Sequence, residues 1–229
     1  MLTEKEYDLL WGKCGIEIGG SSASFEGGIL PIYDRVKAID NVLFSRQTIW
    51  HGKQGDTYEV GGKVGHQYFA DATDLSIIPS GKYDFLVNTN TLEHIANPIK
   101  AMKEFLRILK PAGLILCIVP DKECNFERTR SITTFRHLMY DYRNDTGEDD
   151  LTHLGEHLVH CNPTQMFDPN IFDLLSFTQR SLKNFENRCF HHHVFDFELL
   201  EQLFAFLGIE ILRKDKISSD YIIFGRKQN

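Results

Sequence analysis

Residues 83–119 contain a strand, a helix and a second strand in succession, and this order constrains the fold more than any other feature. Residues 85–87 and 114–119 are apolar runs of the kind that is buried in the middle of a parallel sheet. Between them, Pro98 opens an amphipathic helix over residues 99–110. Such alternation predicts an α/β domain with a doubly wound, mostly parallel sheet.

A shorter strand and a turn of small residues come near the start of the chain. Residues 15–18 predict a buried strand, and residues 19–22 would let the backbone turn sharply and a ligand approach it closely. A second strand ends at Asp40, which follows Glu17 by roughly the 20 residues that separate the strand-end groups of nucleotide-binding α/β units. At the far end of the chain, residues 209–224 predict two strands joined by a short turn, which makes them antiparallel.

Composition excludes several classes of protein. The 229 residues carry a net charge of −7 without a strongly basic stretch, so we expect no nucleic-acid partner. The first residues lack the pattern of a secretory signal, and no run of 18 apolar residues predicts a membrane span. The five cysteines are scattered without a C-x-x-C pair, which favours reduced thiols in the cytoplasm.

Several segments together resemble the class I S-adenosylmethionine-dependent methyltransferases, in particular the branch called methyltransferase type 11. The most specific part is Leu-Glu-His at residues 92–94, followed by a helix and by Leu-Lys-Pro-Ala-Gly at residues 109–113. The other matching segments are residues 16–20, 38–40, 70–72, 83–91 and 114–120. The resemblance implies a Rossmann-like α/β fold with a seven-stranded, mostly parallel sheet whose last strand is antiparallel.

Residues 121–193 interrupt the alternation, because they are polar, aromatic and rich in histidine. We therefore expect a single domain over residues 1–229, with a core formed by residues 14–120 and 194–227. The segment between them would be a helical insertion that caps the substrate side of the sheet.

The resemblance also implies S-adenosylmethionine as the cofactor and identifies the residues around it. Glu17 and the glycine turn would lie under the methionine part, Asp40 would hold the ribose hydroxyls, and Asp71 would face the adenine. The full set is Glu17, Gly19, Gly20, Ser21, Asp40, Asn41, Asp71, Ala72, Asn88 and Thr89. The substitution Asp40→Ala is accordingly expected to abolish cofactor binding without unfolding the protein.

Three histidines are candidates for the catalytic base, namely His94, His153 and His192. A hydroxyl acceptor must lose a proton, and histidine suits that task near neutral pH. In the run at residues 191–193, neighbouring side chains point to opposite faces, so one of them would contribute. Methyl transfer requires no metal in principle, and we assign no metal ligands.

An alternative use of the histidines is a metal site. His153 and His157 are four residues apart on a predicted helix and follow Asp150 closely. A carboxylate and two imidazoles could bind a divalent ion.

The insertion suggests a class of acceptor. Residues 150–153 and 184–196 resemble, more loosely, methyltransferases found beside glycosyltransferases in polysaccharide assembly. This resemblance implies O-methylation of a small-molecule or sugar hydroxyl.

Two other functions stay open. A non-catalytic protein with the methyltransferase fold would explain why the turn at residues 19–22 has fewer glycines than the pattern of the family it resembles. A nicotinamide-dependent sugar oxidoreductase is disfavoured, because the G-x-G-x-x-G fingerprint that cradles a pyrophosphate is missing.

Overall fold

The computed structural model describes residues 2–26, 30–165, 171, 173–217 and 219–228, and its centre is a mixed sheet. In the described part of the chain the sheet has eight strands, in the order β3-β4-β2-β1-β5-β6-β8-β7. The strands are β1 (Cys14–Ile18), β2 (Ala38–Leu43), β3 (Thr57–Val60), β4 (Lys63–Phe69), β5 (Tyr83–Thr89), β6 (Leu109–Pro120), β7 (Ile209–Ile217) and β8 (Asp220–Lys227). The five strands β4, β2, β1, β5 and β6 are parallel, and β8 is antiparallel to both β6 and β7.

The predicted Rossmann-like methyltransferase fold with an antiparallel last strand is therefore confirmed, with one strand more than expected. The extra strand is β3, which forms a hairpin with β4. Its turn contains Gly61 and Gly62, both at positive φ (54° and 71°). Two consecutive residues with positive φ are what a tight two-residue hairpin needs, and glycine supplies them without strain.

Helices cover both faces of this sheet. In chain order they are α1 (Glu4–Asp8), α2 (Ile32–Arg35), α3 (Pro98–Ile108), α4 (Phe135–Asn144), α5 (Leu154–His160), α6 (Leu174–Leu182), α7 (Asn184–Asn187) and α8 (Phe197–Phe206). Their ends follow the expected chemistry: the side chain of Asn97 caps α3 before Pro98, and Gly208 lies just beyond α8 at φ 67°. Among the described residues, no helix combines the length and the hydropathy that crossing a membrane requires.

Successive side chains of β6 point to opposite faces of the sheet, and the core therefore has two layers. Ile115, Cys117 and Val119 pack in one hydrophobic cluster with α3 and α8, whereas Leu114 and its alternate neighbours pack in the other with α1 and α2. A strand buried on both faces reads as a continuous apolar run, which is why residues 114–119 were recognisable in the sequence. Burial of each large apolar side chain in these layers contributes about 1.5–3 kcal/mol.

Helices α4 to α7 lie between β6 and α8 in the chain, within the segment expected to form the insertion. The segment then returns through residues 189–196, which are largely buried, to α8. Asp196 caps α8 by accepting a hydrogen bond from the backbone N–H of Leu199 (2.9 Å). This return path brings the histidine run next to the carboxyl ends of the strands.

Candidate functional site

A cavity of about 890 Å³ opens at the carboxyl ends of the parallel strands. Its floor is formed by the carboxyl ends of β1, β2, β4 and β5 and the chain that follows them, at residues 19–23, 42–44, 70–72 and 89–91. The opposite wall comes from the insertion and from the loop after β2. The wall includes Trp50, His51, Asn125, Phe126, Arg128, Glu148, Arg188 and His191. Ligands bind at this edge in open α/β sheets, so the cavity is the candidate active site.

The turn after β1 is tightly packed. Gly19 has a φ of 109°, and a Cβ built on it would lie 2.3 Å from Oγ1 of Thr91. A side chain at this position would be strained and would clash, so the turn needs glycine there. Its backbone is thereby exposed to the cavity.

Glu17 anchors this turn from below and does not line the cavity. Its Oε1 accepts a hydrogen bond from the backbone N–H of Ser22 (3.1 Å), and its Oε2 accepts from the hydroxyls of Tyr33 (2.8 Å) and Tyr58 (2.7 Å). The carboxyl group is fully buried. Burial raises the pKa of Glu17 to about 7, although the three donors oppose the shift.

This pKa predicts how stability depends on pH. Folded Glu17 keeps a proton that the unfolded chain, with a pKa of about 4.3, has already released, so its contribution to stability declines as pH rises from about 4 to 7. Unfolding in urea at pH 5 and pH 7 measures the difference in stability between wild type and Glu17→Gln. From pH 5 to pH 7, we expect the free energy of unfolding of wild type to fall by about 1 kcal/mol or more relative to that of Glu17→Gln. A difference that does not change with pH would contradict the assignment.

Asp40 lies away from the cavity. It pairs with Ile16 in the middle of β2, three residues before the strand ends at Leu43. Its carboxylate accepts hydrogen bonds from the backbone N–H of His66 (2.9 Å), the hydroxyl of Tyr83 (2.6 Å) and Nζ of Lys82 (3.2 Å). This placement does not support the expected ribose contact, because β2 continues past Asp40 and carries Phe44 to the cavity instead.

The expected effect of Asp40→Ala therefore changes from lost binding to lost stability. Burial would raise the pKa of Asp40, but its three donors outweigh burial and hold the pKa below the usual value. This stabilisation is present above the unfolded pKa of about 3.9 and is lost as pH falls through the lower folded pKa. We expect Asp40→Ala to reduce the free energy of unfolding at pH 7 by about 1–3 kcal/mol. Urea titration measures this loss, and Asp34→Ala, at an exposed aspartate on α2, is the control.

Asp71 connects the floor of the cavity to the insertion. Its Oδ1 accepts hydrogen bonds from the backbone and hydroxyl of Thr73 (2.8 Å each). Its Oδ2 lies 3.2 Å from Arg188, whose guanidinium also lies 3.1 Å from Glu148 and 5.6 Å from the ring centre of Phe44. Arg188 thus lies against both the end of β2 and the end of β4.

The three expected base candidates take different positions. His94 lines the cavity, and its Nδ1 lies 3.3 Å from the carbonyl oxygen of Phe190. Burial and the neighbouring His191 hold the pKa of His94 well below its usual value. His192 is buried beside Asn184 (3.0 Å), where burial lowers its pKa to about 4, and it does not line the cavity. His153 is also outside the cavity, with its Nε2 2.8 Å from Nε2 of His137.

The structure adds Glu127 to the predicted site and identifies His191 as the member of the histidine run that lines the cavity. His191 lines the cavity, and its Nδ1 lies 2.6 Å from Oε2 of Glu127. Glu127 also accepts from Arg130 (2.5 Å), and this pair is buried. Burial would raise the pKa of Glu127, but His191 and Arg130 outweigh burial and lower it, so the carboxylate is ionised and fixes Nδ1–H as the donor. Nε2 is then the ring nitrogen that Glu127 does not engage.

A family model described as a methyltransferase domain matches residues 12–212. The chain belongs to this family. No protein in the curated set matches the chain.

Solved structures have the same fold as this methyltransferase domain. One is an S-adenosylmethionine-dependent methyltransferase from Methanosarcina mazei, with 16% identity, a TM-score of 0.56, and coverage of 100% of this chain and 98% of that chain. Another, described as a putative S-adenosylmethionine-dependent methyltransferase from Listeria monocytogenes, has 14% identity, a TM-score of 0.53, and coverage of 97% and 93%. A third, from Mesorhizobium loti, has 10% identity, a TM-score of 0.54, and coverage of 95% and 92%. At these identities the likeness establishes the fold.

The cavity of the methyltransferase domain brings together part of the predicted set. The predicted residues that line it are Gly19, Gly20, Ser21, Asp71, Ala72, Thr89 and His94. Those that do not line it are Glu17, Asp40, Asn41, Asn88, His153 and His192. Asn41 and Asn88 serve the sheet instead: the Nδ2 of Asn41 donates to the carbonyl of Glu17 (3.3 Å), and that of Asn88 donates to Ile18 (3.4 Å).

The alternative metal site from Asp150, His153 and His157 does not form. His157 is buried, with its Nδ1 3.3 Å from Sγ of Cys161, whereas His153 belongs to a different cluster. Asp150 accepts from the backbone and hydroxyl of Thr152. The spacing of four residues did not bring the two imidazoles together, because the ring of His153 packs against His137, whereas that of His157 packs against Phe177 and Phe190.

Proposed function

We propose that this methyltransferase domain transfers a methyl group from S-adenosylmethionine to a hydroxyl oxygen of a polar small molecule or sugar. The observation that carries the proposal is the Glu127–His191 pair, whose His191 lines the same cavity as the glycine turn after β1. We further propose that residues 121–193 form the cap on the substrate side, since they supply the wall that carries this pair.

The floor of the cavity suits an adenosyl sulfonium better than a diphosphate. Its volume of about 890 Å³ lies within the usual range for ligand pockets, roughly 300–1,000 Å³. Among the described residues at the four strand ends, Asp71 is the one charged side chain that lines it. Asp71 is itself paired with Arg188 (3.2 Å), but the whole lining has more carboxyl groups than guanidinium groups, so it favours a sulfonium cation over a diphosphate.

The residues that would hold the cofactor follow from this lining. The backbone at Gly19 and Gly20 would lie against the methionine part, Phe44 would offer its ring to the adenosine, and Asp71 would accept hydrogen bonds from it. Glu17 would act indirectly, by holding the turn through Ser22. The cofactor would supply a methyl group on a sulfonium, and its thioether would leave as the acceptor oxygen bonds to the methyl carbon.

The Glu127–His191 pair supports a hydroxyl acceptor. As the acceptor oxygen bonds to the methyl carbon, its proton would pass to Nε2 of His191. Glu127 would stabilise the resulting imidazolium and keep the ring oriented, and Arg130 would hold Glu127 ionised. His94, whose ring centre lies 4.3 Å from that of His191, would support the ring from the side.

The wall of the cavity favours a polar acceptor. Trp50 offers an aromatic face at the mouth, where half of its surface is exposed. The same lining contains hydrogen-bonding groups, among them Glu123, Asn125, Arg128 and Asp220. Aromatic faces combined with carboxylate, amide and guanidinium groups are suited to a sugar, whose rings have apolar faces and polar edges.

A panel assay tests the proposed reaction. The purified chain is incubated with radiolabelled S-adenosylmethionine and with nucleotide-sugars, free sugars, catechols and amines, with and without a chelator. We expect transfer to hydroxyl groups, with an ether linkage identified by mass spectrometry. Transfer to amines alone would contradict the O-methylation, and binding of the cofactor without transfer to any class would favour a non-catalytic protein.

A further inference from the structure

A cluster of three histidines and an aspartate lies behind the cavity wall. His137 and Asp141 are on α4, His153 precedes α5, and His193 is on the segment that leads into α8. None of these four residues lines the cavity. The cluster therefore joins three separate segments of the chain at a place that the proposed reaction does not use.

The donor atoms converge as metal ligands do. One ligand atom from each of the three histidines lies within 4.8 Å of the others. Nε2 of His137 is 2.8 Å from Nε2 of His153 and 3.3 Å from Oδ2 of Asp141. Ligands about 2.0–2.1 Å from a tetrahedral ion are about 3.3 Å apart, close to these separations.

Two atoms of the cluster have no hydrogen-bond partner among the residues that the structure describes. They are Oδ2 of Asp141 and Nδ1 of His193, and both are buried. A buried polar atom without a partner destabilises the fold by about 1–3 kcal/mol, so two in one cluster indicate that something else binds there.

The outer side of the cluster is held by further polar groups. Nδ1 of His153 lies 3.5 Å from Glu156, and Oδ1 of Asp141 accepts from the hydroxyl of Thr146 (3.2 Å). Nε2 of His193 lies 3.2 Å from the carbonyl of Ala96. Carboxylates and carbonyls behind the ligands are what orients them in metal sites.

We propose that His137, His153 and His193 bind a zinc ion, with Asp141 beside them, and that this ion fastens α4 and the start of α5 to the segment carrying His191. Three imidazoles suit zinc, and the fourth position of a tetrahedral ion would be left to water. Magnesium and calcium are disfavoured, because both prefer oxygen ligands. His193 is two residues from His191, so the ion would also hold the proposed base in place.

Metal analysis of the purified chain tests the site without any assay of activity. After dialysis against metal-free buffer, we expect about one zinc ion per chain by mass spectrometry. Replacing zinc by cobalt should give the intense visible absorption of a four-coordinate site. Removal of the ion by a chelator should lower the Tm by about 5–10 °C.

Matched variants locate the ion. His137→Gln and His153→Gln should each lose the zinc and the cobalt spectrum, with circular dichroism to confirm folding. His94→Gln is the control, because His94 belongs to a second histidine cluster, with Glu93 and His191 at the cavity. Zinc lost from His94→Gln and kept in His153→Gln would overturn the assignment. So would a folded wild-type chain that takes up neither zinc nor cobalt, whatever its methyl-transfer activity.

Discussion

His191→Ala lowers kcat for methyl transfer by about 10²- to 10⁴-fold, if the Glu127–His191 pair is the general base, since this is the usual contribution of such a group. The substitution removes the ring whose Nδ1 lies 2.6 Å from Glu127, and alanine cannot accept the proton of a hydroxyl. The affinity for S-adenosylmethionine should change less than about threefold, because the cofactor would lie against the strand ends. Steady-state kinetics with calorimetric binding measures both effects.

The control for this prediction is His66→Ala, which removes an exposed imidazole on β4. It should leave kcat unchanged. Added imidazole should restore part of the activity of His191→Ala and none to His66→Ala. If His191→Ala kept its full kcat, the base would have to be assigned to another group.

Gly19→Ala is expected to raise the Kd for S-adenosylmethionine by about 100-fold or more, equivalent to about 2.7 kcal/mol. Gly19 has a φ of 109°, and a methyl group there would lie 2.3 Å from Oγ1 of Thr91, so the turn has to move. The side chain of Thr91 can move little, because its hydroxyl lies 2.9 Å from the carbonyl oxygen of Thr89 and 3.3 Å from that of Ile18. Isothermal titration of the folded variant measures the effect.

Gly62→Ala is the matched control for backbone strain. Gly62 also has a positive φ, 71°, but its Cβ would meet nothing within 4 Å, and the β3–β4 turn is not part of the cavity. Both variants should lose stability, and the loss of cofactor affinity should be confined to Gly19→Ala. Equal affinities in the two variants would show that the turn does not contact the cofactor.

Most of the fold could be predicted because its core strands and helices are marked by local patterns. Residues 114–119 form an uninterrupted apolar run, and α3 has Asn97, Pro98 and an amphipathic face to define it. The capping box of α1, with Thr3 and Glu6, was equally readable and is present. Strand β3 was missed because it alternates exposed and buried residues over four positions, inside a segment rich in glycine and polar residues.

The site could be predicted less well, because it depends on where strands end and which way side chains point. Asp40 was expected at the tip of β2, but the apolar Val42 and Leu43 extend the strand beyond it. For consecutive histidines the sequence predicts that side chains alternate in direction, but it does not say which one faces the ligand. In the structure His191 lines the cavity and His192 does not. Glu127 was not singled out, because its importance comes from a contact across 64 positions of sequence.

The proposed zinc ligands show the same limit. His137 is on α4, but His153 and His193 come from distant segments of the chain. The sequence therefore suggested a different pair, His153 with His157, but the structure places these two rings in different clusters.

Calorimetric titration of the wild-type chain with S-adenosylmethionine tests the central claim most directly, namely that the strand-end cavity binds an adenosyl sulfonium. We predict one site per chain with a Kd of about 1–100 μM, the range common for enzyme substrates, and no heat with a nicotinamide dinucleotide. A folded chain that gave no heat with S-adenosylmethionine, or that bound the dinucleotide instead, would contradict the account.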